Sequence, residues 1–186
     1  HFSQVQDVAE LGYVPFSLNT SREIVLSEKV LGTERDSIGN NKFTYHPEYK
    51  IEFSADSNGI FEDVIRNLPK TARSELVKHE ATQNPPLYYF LGSMFYKIFY
   101  NSDLFTRVFA VRIMSLLIFL ATIYLSYKIG ILIFINNKFL PIVLASLVSF
   151  KPMLVFSSTG VLPDALTNLF FTAVIFLSLE ILQEGL

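Results

Sequence analysis

From Pro86 to Leu186 the chain carries only ten charged side chains, and long apolar runs lie between them. About 20 apolar residues cross hydrocarbon as a helix, and there every backbone polar group must be satisfied within the protein. Three runs meet that length or come close. Residues 108–127 carry Arg112 one turn inside, residues 139–158 carry Lys151 and Pro152, and residues 165–182 hold Glu180 at the far end. A fourth run, residues 86–100, has Lys97 near its end and is too short to cross, which predicts an interfacial or half-buried helix. The expected fold class is mainly α: polytopic membrane helices behind a soluble, mostly helical extracytoplasmic loop, in a multi-pass protein of the cell membrane.

Charge divides the chain at the same place. Residues 1–80 hold nine basic and thirteen acidic side chains, net −4; residues 81–186 hold six and four, net +2. The boundary therefore separates a loop region, 1–80, from a membrane region, 81–186. A near-neutral total argues against a nucleic-acid partner, which wants a basic face. With no cysteine, disulfides and thiolate metal sites are excluded. The chain opens on His1 rather than Met and reads as a piece of a longer polytopic protein, cut at both ends.

Lys128 and Lys138 flank the turn between the first two spans with no acid beside them, so that turn is expected on the cytoplasmic side. Residues 108–127 then run from outside to inside, residues 139–158 return, and Asp164 emerges outside. If residues 86–100 do not cross, residues 1–107 are outside as well.

Within the loop region, Phe2, Val5, Val8, Ala9 and Leu11 fall at helical spacing and Gly12 offers a stop. Thr20-Ser21-Arg22-Glu23 reads as a capping box ahead of Ile24, Val25, Val30 and Leu31, with Gly32 as the end. Both short helices either pack on their own domain or lie on a bilayer surface. Phe43, Tyr45, Tyr49, Ile51 and Phe53 alternate around Pro47 and suggest an edge strand or extended arm. Ile60 to Leu68 return to helical spacing, Pro69 breaks that helix, and a second is expected from about Lys70 to Glu80.

The junction carries the candidate chemistry. His79, Glu80 and Gln83, able to hold a proton, a metal or a sugar hydroxyl, stand directly before Pro85-Pro86. Proline suits a helix start and pushes the preceding residue out of the α region, so the polar cluster is expected just outside a helix that enters the apolar part. Asp164, in Leu162-Pro163-Asp164-Ala165-Leu166, is either a helix N-cap or a functional acid. Arg112 and Lys151 lie inside apolar spans, where a cation costs about 3 kcal/mol and is usually paired or functional. Each either snorkels to the surface or holds a phosphate there. His46, in Tyr45-His46-Pro47, reads as a loop residue, and no glycine-rich phosphate loop or nucleophile elbow is visible.

Gln83-Asn84-Pro85-Pro86-Leu87-Tyr88-Tyr89 resembles the Pro-Pro-Leu-Tyr-Tyr signature of GT-C-fold membrane glycosyltransferases. That superfamily includes the protein O-mannosyltransferases, the lipid A aminoarabinose transferase and little-characterised bacterial relatives, which the chain resembles most. Three further stretches follow in order. His1-Phe2 and Leu11-Gly12-Tyr13-Val14-Pro15 resemble the segment after the family's first membrane helix, Arg112 with Ser115 resembles its Arg-Leu-x-Ser helix start, and Val161 to Leu166 resemble the motif ending in Asp-Ala-Leu.

The resemblance implies a polyprenyl-phosphate sugar donor, transfer on the outer face, and an acceptor it does not identify. The family's main catalytic carboxylate comes from an acidic pair that would fall just before His1. The family often has Glu-Lys before the prolines where Gln83-Asn84 stands here; Glu80, one turn earlier, is implied in place of that Glu, and Glu80 and Asp164 are the implied catalytic acids that orient a base, a metal or a sugar hydroxyl. His1, His79, Gln83, Tyr88, Arg112 and Lys151 are implied to bind substrate, and a divalent metal is an implied cofactor. A membrane transporter or lipid-binding subunit without chemistry would equally place Arg112 and Lys151 inside spans.

Overall fold

The computed structural model describes residues 1–13, 19–31, 55–78 and 85–184. The chain divides into two units, His1–Phe109 and Ala110–Leu186.

In the first unit, helix α1, Phe2–Leu11, forms where the apolar spacing places it. It ends at Gly12, whose φ of 78° is left-handed and whose N–H donates to the Val8 carbonyl at 3.0 Å. Val5 and Val8 are buried, and the helix packs on α4, Leu87–Ile98. Strand β1, Asn19–Ser21, pairs antiparallel with β2, Leu76–Lys78, with Thr20 opposite Val77.

Helix α2, Arg22–Leu31, starts one residue later than the capping-box reading implies. Ser21 is the cap, its Oγ accepting the Ile24 N–H at 3.3 Å. Glu23 does not turn back onto the backbone; it is buried in the core. Helix α3 spans Ala55–Arg66. The second helix expected over residues 70–80 is not formed. Only a single 3₁₀ turn, Lys70–Arg73, follows Pro69 before the chain extends into β2. Pairing with β1 supplies backbone partners that local propensity does not foresee. The alternating residues 43–53 and the Gly32 stop lie outside the described residues.

The division between units falls inside α5, Leu104–Ile133, whose 30 residues extend about 45 Å. Asp103 opens it by accepting the Thr106 N–H at 2.9 Å. This helix is ten residues longer than the apolar run 108–127.

In the second unit, the expected continuous span over 139–158 is broken. Helix α6, Leu140–Ser149, and helix α7, Pro152–Thr159, meet at an angle of 58°. Pro152 has no N–H to give, and Lys151 before it is extended, with φ −69° and ψ 113°. Helix α8 spans Asp164–Glu184.

Three contacts set the order of these helices along α5. Gly130 is so close to Pro141 that a Cβ there would come within 2.7 Å of the Pro141 Cα, so α6 begins beside the C-terminal end of α5. Arg112 Nε donates to the Thr159 carbonyl at 2.7 Å, so α7 ends beside the other end of this unit's part of α5. Gln183 Nε2 donates to the Leu132 carbonyl at 2.8 Å, so α8 finishes where α6 began. The broken pair thus runs back along α5, and α8 runs parallel to it. From residue 112 to residue 130 is about 27 Å of helix rise, close to the ~30 Å of hydrocarbon.

By length and composition, α5 and Asp164–Gln183 of α8 are long and apolar enough to cross a membrane, and α6–α7 counts as a third if the bent pair is one span. Their outward residues fit lipid: Leu116, Leu117 and Leu120 on α5 and Phe170, Phe171 and Val174 on α8 are exposed.

Candidate functional site

The polar core of the first unit gathers around Glu23. Its carboxylate accepts from both Arg107 terminal nitrogens, Nη2 to Oε1 at 2.5 Å and Nη1 to Oε2 at 3.1 Å. Gln6 Nε2 donates to Oε2 at 2.5 Å, and Arg73 Nε lies 3.5 Å from Oε1. Ser21 Oγ in turn donates to Gln6 Oε1 at 2.6 Å. A second layer follows. Arg107 Nη1 donates to the Tyr96 hydroxyl at 2.6 Å, and that hydroxyl donates to Glu10 Oε1 at 2.7 Å. The Arg107 guanidinium also sits over the Tyr96 ring, 5.1 Å from its centre. Burial pushes the Tyr96 hydroxyl well above its ordinary pKa against the pull of Arg107, with the Glu10 hydrogen bond adding to the rise. Arg73 ties off the turn between α4 and α5 by donating to the Tyr100 and Ser102 carbonyls at 2.6 and 3.1 Å. A two-pronged Arg–carboxylate pair with further donors around it is the geometry in which a buried ion pair is tolerated, although Arg73 Nε, 3.5 Å from Glu23, makes no hydrogen bond among the described residues.

Asp7 stands apart. It is 1% exposed, and among the described residues neither of its carboxylate oxygens has a hydrogen-bond partner. Burial raises its pKa from 3.8 to about 7.

The residues singled out from the sequence distribute as follows. His1 Nδ1 and the Tyr89 hydroxyl are 3.0 Å apart, and the two rings stack with centres 6.4 Å apart. Tyr88 is buried beneath them, edge-on to Tyr89 at 5.7 Å. The first motif segment and the Pro-Pro-Leu-Tyr-Tyr segment are therefore joined across 88 positions of sequence. His79, Glu80 and Gln83 lie outside the described residues.

Arg112, Lys151 and Asp164 all belong to the second unit. Arg112 donates Nε to the Thr159 carbonyl, five residues before Asp164 in sequence. Asp164 is exposed in the first turn of α8, where a carboxylate complements the helix dipole. Lys151 is exposed at the α6–α7 break, ten residues past Pro141 and eight before Thr159. That places it near the middle of the broken pair rather than toward its outer end. Among the described residues no group of three or more acidic or imidazole side chains is placed to hold a metal.

Arg107 is the residue that sequence reading missed. A basic residue just before an apolar run normally reads as a surface anchor, and its partner Glu23 looked committed to a helix cap. Comparison with family models finds no match to this chain, and comparisons with curated proteins and with solved structures find none either.

Proposed function

We propose that the chain forms part of a polytopic membrane glycosyltransferase that moves a sugar from a polyprenyl-phosphate donor to an acceptor on the outer face. The observation that carries this reading is the His1–Tyr89 contact at 3.0 Å, which brings two of the resembling motifs to one place. The order of helices in the second unit supports it. Counted as one broken span, α6–α7 gives three crossings, and Asp164 then lies on the same membrane face as the Arg112 end of the second unit's part of α5. In this mechanism a carboxylate accepts the acceptor's proton as its oxygen attacks the anomeric carbon. The bond from that carbon to the phosphate oxygen breaks, and the lipid phosphate leaves with its charge. The resemblance puts that carboxylate in the acidic pair before His1; Glu80 and Asp164 are proposed to orient it or a sugar hydroxyl, with His1, His79 and Gln83 lining the donor and Tyr88, buried, supporting the site from behind. Arg112, whose Nε donates to the Thr159 carbonyl, is the cation proposed to stabilise the leaving phosphate. If a divalent ion takes part, Glu80 and Asp164 are the acids that would hold it, and no step above depends on it.

A helix broken in mid-membrane beside a charged residue is also how transporters build substrate sites, so the break at Lys151 favours a second reading as a carrier of lipid-linked anions. One experiment separates the two. The full-length protein in nanodiscs is given a radiolabelled polyprenyl-phosphate sugar and a mixture of acceptors. Transfer that falls at least 100-fold in Glu80→Gln or Asp164→Asn supports the enzyme; donor binding with no transfer under any acceptor rejects it.

A further inference from the structure

Helix α4 has two apolar faces, and the protein uses only one. Tyr88, Tyr89, Gly92, Ser93 and Tyr96 are buried, and this side packs on α1. On the opposite side Leu87, Phe90, Met94 and Ile98 are 44–71% exposed. At 100° per residue these four fall within about 80° of arc, a continuous stripe running the length of the helix. An exposed stripe of this kind marks a surface that meets something apolar.

The chain itself identifies what that is. Six residues after Ile98, at Leu104, begins α5, a helix long and apolar enough to cross a membrane. The connection is clamped by Arg73 through the Tyr100 and Ser102 carbonyls, so α4 cannot stray far from the point where α5 enters lipid. Twelve residues span only about 18 Å, too short for α4 to cross. Exposed Lys97 flanks the stripe, and exposed Lys70 bonds Asn101 just beyond it, which suits phosphate head groups beside an apolar surface.

We propose that α4 lies flat in the membrane interface, with Leu87, Phe90, Met94 and Ile98 in contact with the acyl chains of bilayer lipid and the Tyr88–Tyr89–Tyr96 face turned into the protein. The helix then seats the folded first unit on the bilayer. This does not depend on the glycosyltransferase reading and holds for a transporter as well.

The test uses the full-length protein, with any cysteines outside this stretch removed, in lipid nanodiscs. Nitroxide labels are placed singly at Phe90→Cys, Met94→Cys and Ile98→Cys, with Glu75→Cys as a water-facing reference and Leu117→Cys as a reference within the span. Collisions with oxygen and with a water-soluble nickel chelate report depth. The expected result is oxygen exceeding nickel at 90, 94 and 98, at a depth about 5–10 Å inside the head-group boundary and shallower than 117. Nickel exceeding oxygen at these sites would show a water-facing stripe and overturn the proposal. Exclusion of both reagents would show a protein partner, a second copy included, and overturn it too. A depth equal to that at 117 would mean that α4 enters the bilayer core, with the same consequence. Three separate label sites keep the test decisive if one variant fails to fold.

Discussion

Glu23 and Ser126 are both buried polar side chains, and they are satisfied in opposite ways. Glu23, in the first unit, takes hydrogen bonds from residues 17 and 84 positions away and fixes three elements at once. Ser126, in the second, bonds the Thr122 carbonyl of its own helix at 2.8 Å and, among the described residues, no other element. Thr122 behaves as Ser126 does. The first unit is specified by a buried side-chain network that closes long loops, whereas the second is ordered by the close approach of Gly130 to Pro141 and by two single bonds to backbone carbonyls, Arg112 to Thr159 and Gln183 to Leu132. The contrast is the one expected of helices long and apolar enough to cross a membrane. Where lipid surrounds a helix, burying apolar surface no longer drives association, and small residues that let backbones touch take over.

The largest effect should come from cutting the network at its centre. Arg107→Met leaves the Glu23 carboxylate buried and largely uncompensated, and it should destabilise the first unit by about 3–5 kcal/mol. Hydrogen exchange of the full-length protein would show α1 and α2 losing protection while the C-terminal half of α5 and α8 keep theirs. Equal loss in both units would break the distinction drawn here.

A smaller effect is expected at Asp7. Its folded pKa, about 7, lies above the ordinary value of 3.8, so the unfolded chain loses its proton first as pH rises. Stability from this group is fully present below pH 3.8, falls as pH climbs to about 7 and stays low above it. Asp7→Asn, which has no charge to bury, should flatten that slope and raise stability at pH 8 by roughly 2–4 kcal/mol. Thermal unfolding followed by circular dichroism from pH 5 to 8 checks it, and an unchanged slope would place the titration elsewhere.

The smallest effect belongs to the second unit. Ser126→Ala removes only a bond to its own helix and should change stability by less than about 0.5 kcal/mol. A loss above 2 kcal/mol would reveal a partner across helices and blur the contrast.

How far the sequence could be read follows the same line. Helices α1, α4, α5 and α8 announce themselves through spacing, prolines and apolar length, which are local signals. Glu23 did not, because a residue three places after Thr20 satisfies the capping pattern whether or not it turns toward Arg107. The strand at 76–78 was hidden because its partner lies 57 positions earlier, and the break at Phe150–Lys151 was written in Pro152 but masked by the even hydropathy around it. The His1–Tyr89 contact could be reached only by resemblance, since nothing local links residue 1 to residue 89.

The break between α6 and α7 also bears on how the protein is made. Each half, of ten and eight residues, is under or about half the length that the insertion machinery accepts as a span, and Lys151 stands between them. Emerging from the ribosome alone, this segment is a poor candidate for entry into lipid. Helix α5 precedes it in sequence and Gly130 packs closely on Pro141, so a neighbour for the segment is made first. If the bent pair is one span, a truncation that removes α5 is expected to weaken the entry of α6–α7 into lipid.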